Sequence, residues 1–471
     1  MIFNTDTKIK DLLENEEPRT IMENMMPALV KMAQSNAQAL SLSLSQLIRY
    51  AKIPNSDIIL EKISAAFDEL NAKGKIITEK ERKQMEQFAS IWKEEQERKP
   101  KPECHHQDAI HPGKVWLDTE GERIQAHGGA MYYEDGVYYW YGENKEYTDG
   151  NNGIWTWGLK VYSSKDLYNW KDLGYLIPPN ITDPDSSMFP AKRTDRPHIL
   201  KCEKTSKYVC WFKLSGPEAA FSIYQADSLL GEYEEVRNIY NPDGYKIGDF
   251  DLIKDEKTGN AYIYFDGDHR STVCMKLSDD YLSAKEVVSK SYSDLLPPFT
   301  REAQSLFEYK GKKYMLTSSM SGYVPNKSDA AVAVNWEDEF RSIGDPHVDD
   351  DTKSSFNSQI SKVFKVEGTD LYIAMADRWL STYHVDARIT DLFVRVIAST
   401  YDPEHYQASD EEKKEMYAAN KLETAETRIA DYVWLPIEIQ EPTAEKQEGS
   451  ILIRWYDEWK IEDFKRKKIW K

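Results

Sequence analysis

Acidic and amide side chains recur where predicted strands begin. If these strands converge on one axis, the side chains at their starts gather at one mouth. Three carboxyl groups and two neutral polar groups around a common space could donate and accept protons. The residues at these positions are Glu302, Asp249, Asp195, His127 and Gln359. We therefore expect acid–base chemistry at this mouth.

A repeated hairpin supplies the elements that would bring these residues together. A strand, a tight turn and an aromatic-rich second strand recur five times, as in REAQSLFEYKGKKYMLTSS from Arg301. The turn markers are separated by 70, 53, 52 and 57 residues and are Gly136, Ser206, Gly259, Gly311 and Gly368. Five copies at this period predict an all-β, five-bladed β-propeller over residues 113–471.

Residues 1–98 have a different composition, which is rich in Leu, Ile, Met, Lys and Glu and poor in Gly and Trp. Apolar residues follow helical spacing after Ser56, and Thr78 with Glu81 forms a capping-box pattern. This predicts a small all-α bundle of unknown role, for which self-association is one use that the pattern allows. Residues 99–112, with Pro100 and Pro102, are expected to form a linker.

Two further segments of the propeller region depart from the hairpin pattern. Residues 147–194, including NWKDLGYLIPPN, are expected to form a long loop before the second blade, and a loop of this length is often a lid. After Thr400, ASDEEKKEMYAANKLETAE predicts a charged helical interruption. The strands DYVWLPIEI and ILIRWYDEW then return to complete the ring, since a propeller joins its first and last blades.

Composition excludes several classes of partner. With 80 acidic against 61 basic residues the net charge is −19, which disfavours nucleic acid and anionic membranes. No basic and apolar leader and no run of about 18 apolar residues is present, so we expect a soluble, cytoplasmic protein.

The cysteines give no sign of a metal site. Cys104, Cys202, Cys210 and Cys274 lack C-x-x-C spacing, which indicates reduced thiols. Cys104 and the two histidines after it are adjacent, and adjacent side chains do not easily share one tetrahedral ion. We expect neither a metal nor a cofactor.

Several motifs in the propeller region resemble a known family. DFDLIKD, REAQSLFEYKGKKYMLTSS, SQISKV and ADRW are similar to glycoside hydrolase family 43. AHGG, YYWYGE and DRPHI resemble its subgroup of exo-β-1,3-galactanases and related galactosidases and arabinofuranosidases. The resemblance covers roughly residues 113–459. It implies a five-bladed propeller that hydrolyses glycosidic bonds with inversion at the anomeric carbon.

The resemblance also implies roles for single residues. Glu302 matches the general acid, and Asp249 matches the carboxylate that raises the pKa of that acid and orients it. The family's usual base is an aspartate at the start of the first blade, where this chain has Ala126 and His127. In the galactanase-like subgroup a glutamine matched by Gln359 holds the water. Asp195 matches a second-blade acid of the same subgroup.

Reasoning from the residues leaves the water activator open. An amide is a poor base, so Asp195 and Glu143 remain rivals to Gln359 for this role. We expect Gln359 and Asp195 to position the water. The expected substrate-binding residues are His127, Glu143, Trp379, Arg378 and Tyr323, and further aromatic candidates for stacking on a sugar are Trp140, Trp155 and Trp211.

The expectation is thus an inverting, exo-acting glycosidase that releases a terminal galactosyl or arabinofuranosyl residue from oligosaccharides. A non-catalytic propeller that binds carbohydrate or protein is the alternative, favoured by the missing first-blade aspartate. A glycoside phosphorylase is a third hypothesis, which needs a basic phosphate pocket from Arg196, Arg301 and Arg378.

Overall fold

A computed structural model describes residues 2–53, 56–72, 77–99, 105–293, 295–420, 424–443 and 448–465. The chain divides into two compact units, Met1–Arg98 and Lys99–Lys471. Pro100, Pro102 and Cys104, on which the linker and thiol expectations partly rested, lie outside the described residues.

The first unit is helical in its described residues. Its helices enclose an apolar core that includes Phe3, Leu12, Met22 and Phe67, all fully buried. The predicted capping box at Thr78 forms, with both reciprocal hydrogen bonds present. The helices are α1 Ile9–Glu14, α2 Glu16–Met25, α3 Pro27–Gln34, α4 Ala37–Ser41, α5 Leu44–Tyr50, α6 Ser56–Asn71 and α7 Glu79–Gln96.

The second unit contains five antiparallel sheets of four strands each, and the strands of a sheet follow one another in chain order. The first blade comprises β1 His127–Glu134, β2 Val137–Glu143, β3 Leu159–Ser164 and β4 Lys171–Ile177. The second comprises β5 Thr194–Cys202, β6 Lys207–Leu214, β7 Ala220–Ala226 and β8 Glu234–Tyr240. The third comprises β9 Ile247–Lys254, β10 Ala261–Gly267, β11 Ser271–Leu277 and β12 Ala284–Ser291.

The fourth blade comprises β13 Glu302–Tyr309, β14 Lys312–Ser318, β15 Ser328–Ala333 and β16 Arg341–Gly344. The fifth comprises β17 Gln359–Lys365, β18 Tyr372–Arg378, β19 Asp431–Gln440 and β20 Ser450–Ile453. The described residues of this unit also form the α-helices α8 Ala387–Tyr401, α9 Asp410–Ala419 and α10 Ile461–Lys465. The predicted five-bladed propeller after a helical region is confirmed.

The first strand of each blade contacts the first strands of the two neighbouring blades, so these five strands surround the axis and β1 meets β17 to close the ring. Aromatic side chains fill the space between the first and last blades. Trp140 packs against Trp434 with ring centroids 4.6 Å apart, and both rings are fully buried. This packing explains the aromatic strands, because both faces of a blade meet an apolar neighbour.

Two predictions about the connections were wrong. Residues 147–194 are not one long loop, since they contain β3 and β4, the outer strands of the first blade. The register of this pair shifts at Leu159/Lys160 and again at Lys160/Tyr162, so the alternation that marks a strand is broken there. The helical interruption also begins earlier than predicted, because α8 precedes the expected charged helix, which is α9.

Backbone bulges shape the starts of three innermost strands. In β1, β5 and β13 the register shifts directly after the first residues, and the bulge holds one residue in the left-handed region. The residues with positive φ are Gly128 at 54°, Arg196 at 53° and Ala303 at 54°. At Gly128 a Cβ would lie 2.2 Å from the Glu143 carboxylate, so only glycine fits. Bulges of this kind re-aim side chains at strand ends.

Three further observations concern the described residues only. None of their helices is both long and apolar enough to cross a membrane. No three of their His, Cys, Asp or Glu side chains group so as to hold a metal ion. Cys202, Cys210 and Cys274 are buried and form no disulfide.

Candidate active site

A pocket of about 590 Å³ opens where the innermost strands of the propeller begin. Its floor is polar and charged, one wall is aromatic, and another wall comes from α8 and α9. The predicted site residues that line it are Glu302, Asp249, Asp195, Gln359, Glu143, Tyr323 and Trp379. The structure therefore brings together seven of the nine expected catalytic and substrate-binding side chains, and Trp155 and Arg196, named as further candidates, line the pocket with them.

Glu302 is the first residue of β13 and is partly exposed to the pocket. Its carboxylate accepts a 3.2 Å hydrogen bond from the amide of Gln359. Burial raises the pKa of Glu302 to about 8, and the nearby charge of Asp249 acts in the same direction. The carboxyl group is therefore protonated at neutral pH and has a proton to donate.

Asp249, near the start of β9, is held in the opposite state. Burial favours its neutral form, but two cations outweigh this effect and hold the pKa of Asp249 well below its usual range. Arg196 Nε lies 2.9 Å from one carboxylate oxygen, and Lys213 Nζ lies 2.5 Å from the other. A neutral acid thus stands beside a permanently ionised carboxylate.

Arg196 and Gln359 connect these two carboxyl groups. The left-handed backbone of Arg196 turns its guanidinium toward the pocket, where Nη2 donates to the amide oxygen of Gln359 at 2.6 Å. The amide nitrogen of Gln359 donates to Ser318 at 2.9 Å as well as to Glu302. Both N–H donors of the Gln359 amide are therefore used, whereas its oxygen, which has two lone pairs, can still accept a hydrogen bond from water.

Asp195 lies on the second-blade side of the floor. Its carboxylate accepts a 2.6 Å hydrogen bond from Trp155 Nε1 and another from the hydroxyl of Ser215. Lys145 and Lys213 approach it at 3.8 and 3.9 Å. Its side chain keeps 13% of its surface exposed.

Glu143, at the end of β2, lies deeper than Asp195, with 2% of its side chain exposed. It accepts a 2.9 Å hydrogen bond from the backbone N–H of Arg196, and Lys145 Nζ lies 2.7 Å from its other oxygen. Burial raises the pKa of Glu143 to about 7, against the opposing charge of Lys145.

The aromatic wall consists of three rings in succession. Tyr323 stacks on Trp155 with centroids 6.1 Å apart and planes at 24°, and it contacts Trp379 at 5.3 Å. Such a surface suits the apolar C–H face of a sugar ring. Trp140 and Trp211 lie elsewhere, fully buried within the blades.

Two of the expected substrate-binding residues do not line the pocket. His127 is fully buried, with Nδ1 2.9 Å from Asp377, its ring stacked 4.7 Å from Tyr432, and Trp379 5.6 Å away. Burial lowers its pKa. It is thus a neutral ring that packs beneath the aromatic wall and does not face a ligand.

Arg378 likewise points away from the pocket. It donates to the backbone carbonyls of Phe356 and Asn357, at 2.9 and 3.2 Å, and so supports the chain that leads into Gln359. Arg301 donates to Ser319 and does not line the pocket either. Of the three arginines considered for a phosphate pocket, only Arg196 lines it, and its contacts are to Asp249 and Gln359.

Sequence reasoning missed several residues of the pocket. Lys213 is paired with Asp195 in the register of β5 and β6, a relation that needs the strand pairing to be known. Lys145 is buried and does not line the pocket, but it pairs with Glu143, and its place directly after YYWYGEN could have suggested it as a partner. His269 also lines the pocket, and its hydrogen bond to the buried Asp266 raises its pKa.

The fold and the site define a class of protein: a propeller whose pocket holds a neutral carboxylic acid beside an ionised carboxylate, as glycoside hydrolysis requires. The model of the glycosyl hydrolases family 43 matches residues 127–401. The chain therefore belongs to glycosyl hydrolase family 43, a family of enzymes that act on O-glycosyl bonds. The resemblance seen in its motifs is confirmed.

Solved structures place the chain near the galactanase-like subgroup. It is 26% identical to a family 43 β-1,3-galactosidase, with 76% of this chain and 65% of that chain covered and a TM-score of 0.58. The chain thus spans just under two thirds of that protein. No curated protein sequence matches.

Two more distant structures share the fold. A second family 43 β-1,3-galactosidase, with galactodeoxynojirimycin, is 23% identical over 75% of this chain and 100% of its own, at a TM-score of 0.56. An exo-β-1,3-galactanase from Phanerochaete chrysosporium, with β-1,3-galactotriose, is 19% identical over 75% of this chain and 68% of its own, at a TM-score of 0.57.

Proposed function

We propose that this protein is an inverting, exo-acting glycoside hydrolase that releases a terminal galactosyl residue. The observation that carries the proposal is the pairing of Glu302, a carboxyl group with its pKa raised to about 8, with the ionised Asp249 beside it. Glycosidases need one carboxylic acid that stays protonated at working pH while the other groups of the site keep their charge.

Glu302 is the proposed general acid. It gives its proton to the glycosidic oxygen as the bond to the anomeric carbon breaks, so the leaving group departs as a neutral alcohol. Asp249 keeps the proton on Glu302 before the reaction. Afterwards, the charges of Lys213 and Arg196 favour the carboxylate that remains, since both lower the pKa of Glu302.

Water attacks the anomeric carbon from the opposite face, which inverts the configuration. We assign Asp195 and Gln359 to hold this water and Asp195 to accept its proton, because a carboxylate is the better base. Glu143 is the rival, with a pKa near neutrality. The greater exposure of Asp195, at 13% against 2%, favours Asp195 as the group that reaches water.

Exo action is supported by the closed floor of the pocket. Beneath it the axis is filled by side chains, among them Asp251, which is fully buried, and His198 at 2% exposure. The end of an oligosaccharide can enter such a pocket, whereas an oligosaccharide cannot pass through it. The rings of Trp155, Tyr323 and Trp379 would stack on the terminal sugar.

The choice of galactose draws on the neighbours. Two are described as β-1,3-galactosidases, and one of these was solved with galactodeoxynojirimycin. These neighbours support an oligosaccharide substrate with a galactosyl end. Release of an arabinofuranosyl residue, which the sequence also allowed, is a competing outcome of the experiment described next.

The test is a panel of β-galactosides and α-arabinofuranosides, including β-1,3-galactobiose, followed by NMR of the first-formed anomer. We expect α-galactose from a β-galactoside, and loss of this activity in Glu302→Gln. Release of β-galactose would contradict inversion. If only the arabinofuranosides were cleaved, the released residue would be arabinofuranosyl and not galactosyl. Saturable binding without turnover of any glycoside would favour the non-catalytic carbohydrate-binding propeller.

A further inference from the structure

A helical hairpin interrupts the fifth blade and forms one wall of the pocket. It consists of α8 and α9, within residues 379–430 between β18 and β19. Asp386 caps α8 by accepting from the backbone of Ile389. The buried face of α8, including Leu392 and Phe393, packs against Val324 and Leu380. The hairpin is therefore an integral wall of the propeller mouth.

This wall stands on the same side of the pocket as the acid. The ring of Tyr406, in the connection between α8 and α9, contacts Phe299 at 5.5 Å, and Phe299 precedes Glu302 by three residues. Two apolar side chains of that region, Pro297 and Met320, line the pocket together with the hairpin. A general acid protonates the leaving-group oxygen, so the leaving group must emerge on this side.

The hairpin wall differs in chemistry from the sugar-facing floor. No charged side chain from the described residues of α8 or α9 lines the pocket. Its apolar and aromatic members are Phe393, Val396, Ile397, Tyr401, Met416 and Tyr417. Tyr401 and Tyr417 are 52% and 68% exposed, although large aromatic side chains are usually covered. The accessible part of this wall is thus aromatic and apolar.

We propose that the α8–α9 wall is a leaving-group subsite that takes an apolar aglycone, an alkyl or aryl group, of the glycoside. This inference rests on the proposed function, since it names the leaving group of the same reaction. Sugar hydroxyls removed from water need hydrogen-bond partners, and the floor supplies them in abundance. Among the described residues of α8 and α9 that line the pocket, together with Asn420, the polar groups are Thr400, Asn420 and the two phenols. Apolar carbon gains from covering the rest.

The experiment compares methyl and hexyl β-D-galactopyranosides, whose leaving alcohols have similar acidity. We expect kcat/KM for the hexyl glycoside to exceed that for the methyl glycoside by about 10-fold or more, because burying about two methylenes suffices for this ratio. In the double variant Tyr401→Ser/Tyr417→Ser the ratio of the two kcat/KM values should fall toward one. Tyr133→Ser, at an exposed tyrosine of β1 outside the pocket, is the matched control and should keep the wild-type ratio.

Calorimetry with the methyl and hexyl 1-thiogalactosides, which resist hydrolysis, separates the two proposals. If galactosides are hydrolysed but the hexyl to methyl ratio is near one, or survives the double variant, the subsite is wrong while the proposed function stands. If nothing is hydrolysed, the proposed function fails, and tighter hexyl binding that the double variant abolishes still supports the subsite. The subsite proposal is overturned if the methyl and hexyl thiogalactosides bind equally or not at all. It is also overturned if thio-linked galactobiose binds more tightly than the hexyl thiogalactoside.

Discussion

Two charged clusters lie on the same innermost strands, about two residues apart, and they have opposite characters. The mouth cluster faces the pocket and consists of Arg196, Asp249, Glu302 and Gln359. The axis cluster lies beneath it and consists of His198, Asp251 and Lys362. Along β5 the chain passes from Arg196 to His198, and along β9 from Asp249 to Asp251. Neighbouring positions of one strand thus serve two different environments.

The axis cluster does not line the pocket, and the carboxylate of Asp251 within it has both a cation and a backbone donor as partners. Lys362 Nζ lies 2.5 and 2.7 Å from the two oxygens of Asp251, and the backbone N–H of Leu306 donates to the same carboxylate at 2.7 Å. His198 Nδ1 is 3.4 Å away, and burial keeps its pKa well below the usual value, so the ring is neutral. Asp251 thereby contacts residues of the second, fourth and fifth blades and joins them at the axis.

In the mouth cluster the cations are unevenly shared between the two carboxyl groups. Asp249 has two cations, whereas Glu302 makes no ion pair with any described residue and has only the Gln359 amide as a partner. The comparison indicates that a carboxylate paired within a closed cluster serves stability. Burial raises the pKa of Asp251 as well, but Lys362 opposes that shift and the group does not line the pocket. Glu302 has no cation of its own and lies at the open pocket, where its proton is available for chemistry.

The largest expected effect comes from removing the unpaired acid. Glu302→Gln should lower kcat by about 10²-fold or more on a galactoside with a poor leaving group, the scale of lost general-acid catalysis. Its stability at neutral pH should not fall, because the buried proton-bearing group is replaced by a neutral one. Glu308→Gln, on the same strand but outside the pocket, is the control. Near-normal turnover by Glu302→Gln would contradict the assignment of Glu302 as the general acid.

The reverse pattern is expected at the axis. Lys362→Met leaves the carboxylate of Asp251 buried without its cation and should lower the free energy of unfolding by about 3–5 kcal/mol, measured by denaturant unfolding. The activity per folded molecule should remain near that of the wild type. Lys365→Met, at an exposed position of the same strand, should leave both quantities unchanged.

A double variant sharpens this prediction. Lys362→Met/Asp251→Leu removes both charges and should recover part of the lost stability, since an apolar pair can replace a buried ion pair. If Lys362→Met instead lowered kcat without loss of stability, the axis cluster would take part in the reaction and the contrast between the clusters would be wrong.

A smaller effect is expected from Asp249→Asn. Removing this negative charge takes away one cause of the raised pKa of Glu302 and frees Arg196 and Lys213 to favour its ionised form. The alkaline limb of the pH profile of kcat/KM should therefore move to lower pH. At pH values below this limb, the loss of kcat should be smaller than that of Glu302→Gln. An unchanged or higher alkaline limb would contradict the role of Asp249, and Asp243→Asn, exposed and outside the pocket, serves as the control.

Much of the fold could be predicted because each blade repeats the same local pattern. The hairpins between the first two strands of a blade have clear turns and aromatic alternation, so five blades could be counted. Helix α8 was not predicted, since its sequence ARITDLFVRVIASTY contains several β-branched residues that are neutral toward helix. Its stability comes from packing against Val324 and Leu380, contacts that are distant in sequence.

The candidate site was predictable where position along a strand decides the environment. Glu302, Asp249, Asp195 and Gln359 start innermost strands, and the propeller rule brings them to one pocket. The same rule misplaced His127, because the side chains of Tyr432 and Trp379 cover its ring. Which cation meets which carboxylate depended on strand register and on backbone bulges, and neither is visible in the sequence.

The subtlest expected effect is a change in how stability depends on pH, and it tests whether Glu302 is protonated in the folded protein. Its pKa rises from 4.5 to about 8 on folding, so the folded state binds a proton that the unfolded state has released. Its contribution is fully present below about pH 4.5 and is lost as the pH rises to about 8. Glu143 acts in the same direction up to about pH 7 and is retained in every variant used here.

Glu302→Gln should therefore show a shallower decline of the free energy of unfolding with rising pH than the wild type. The two slopes should differ by at most about 1.4 kcal/mol for each pH unit. Denaturant unfolding at several pH values provides the measurement, with Glu286→Gln, at an exposed position of β12, expected to follow the wild type. Parallel curves for Glu302→Gln and the wild type would mean that Glu302 folds in its ionised form. The mouth cluster would then resemble the axis cluster, and the proton for the leaving group would have to come from another residue.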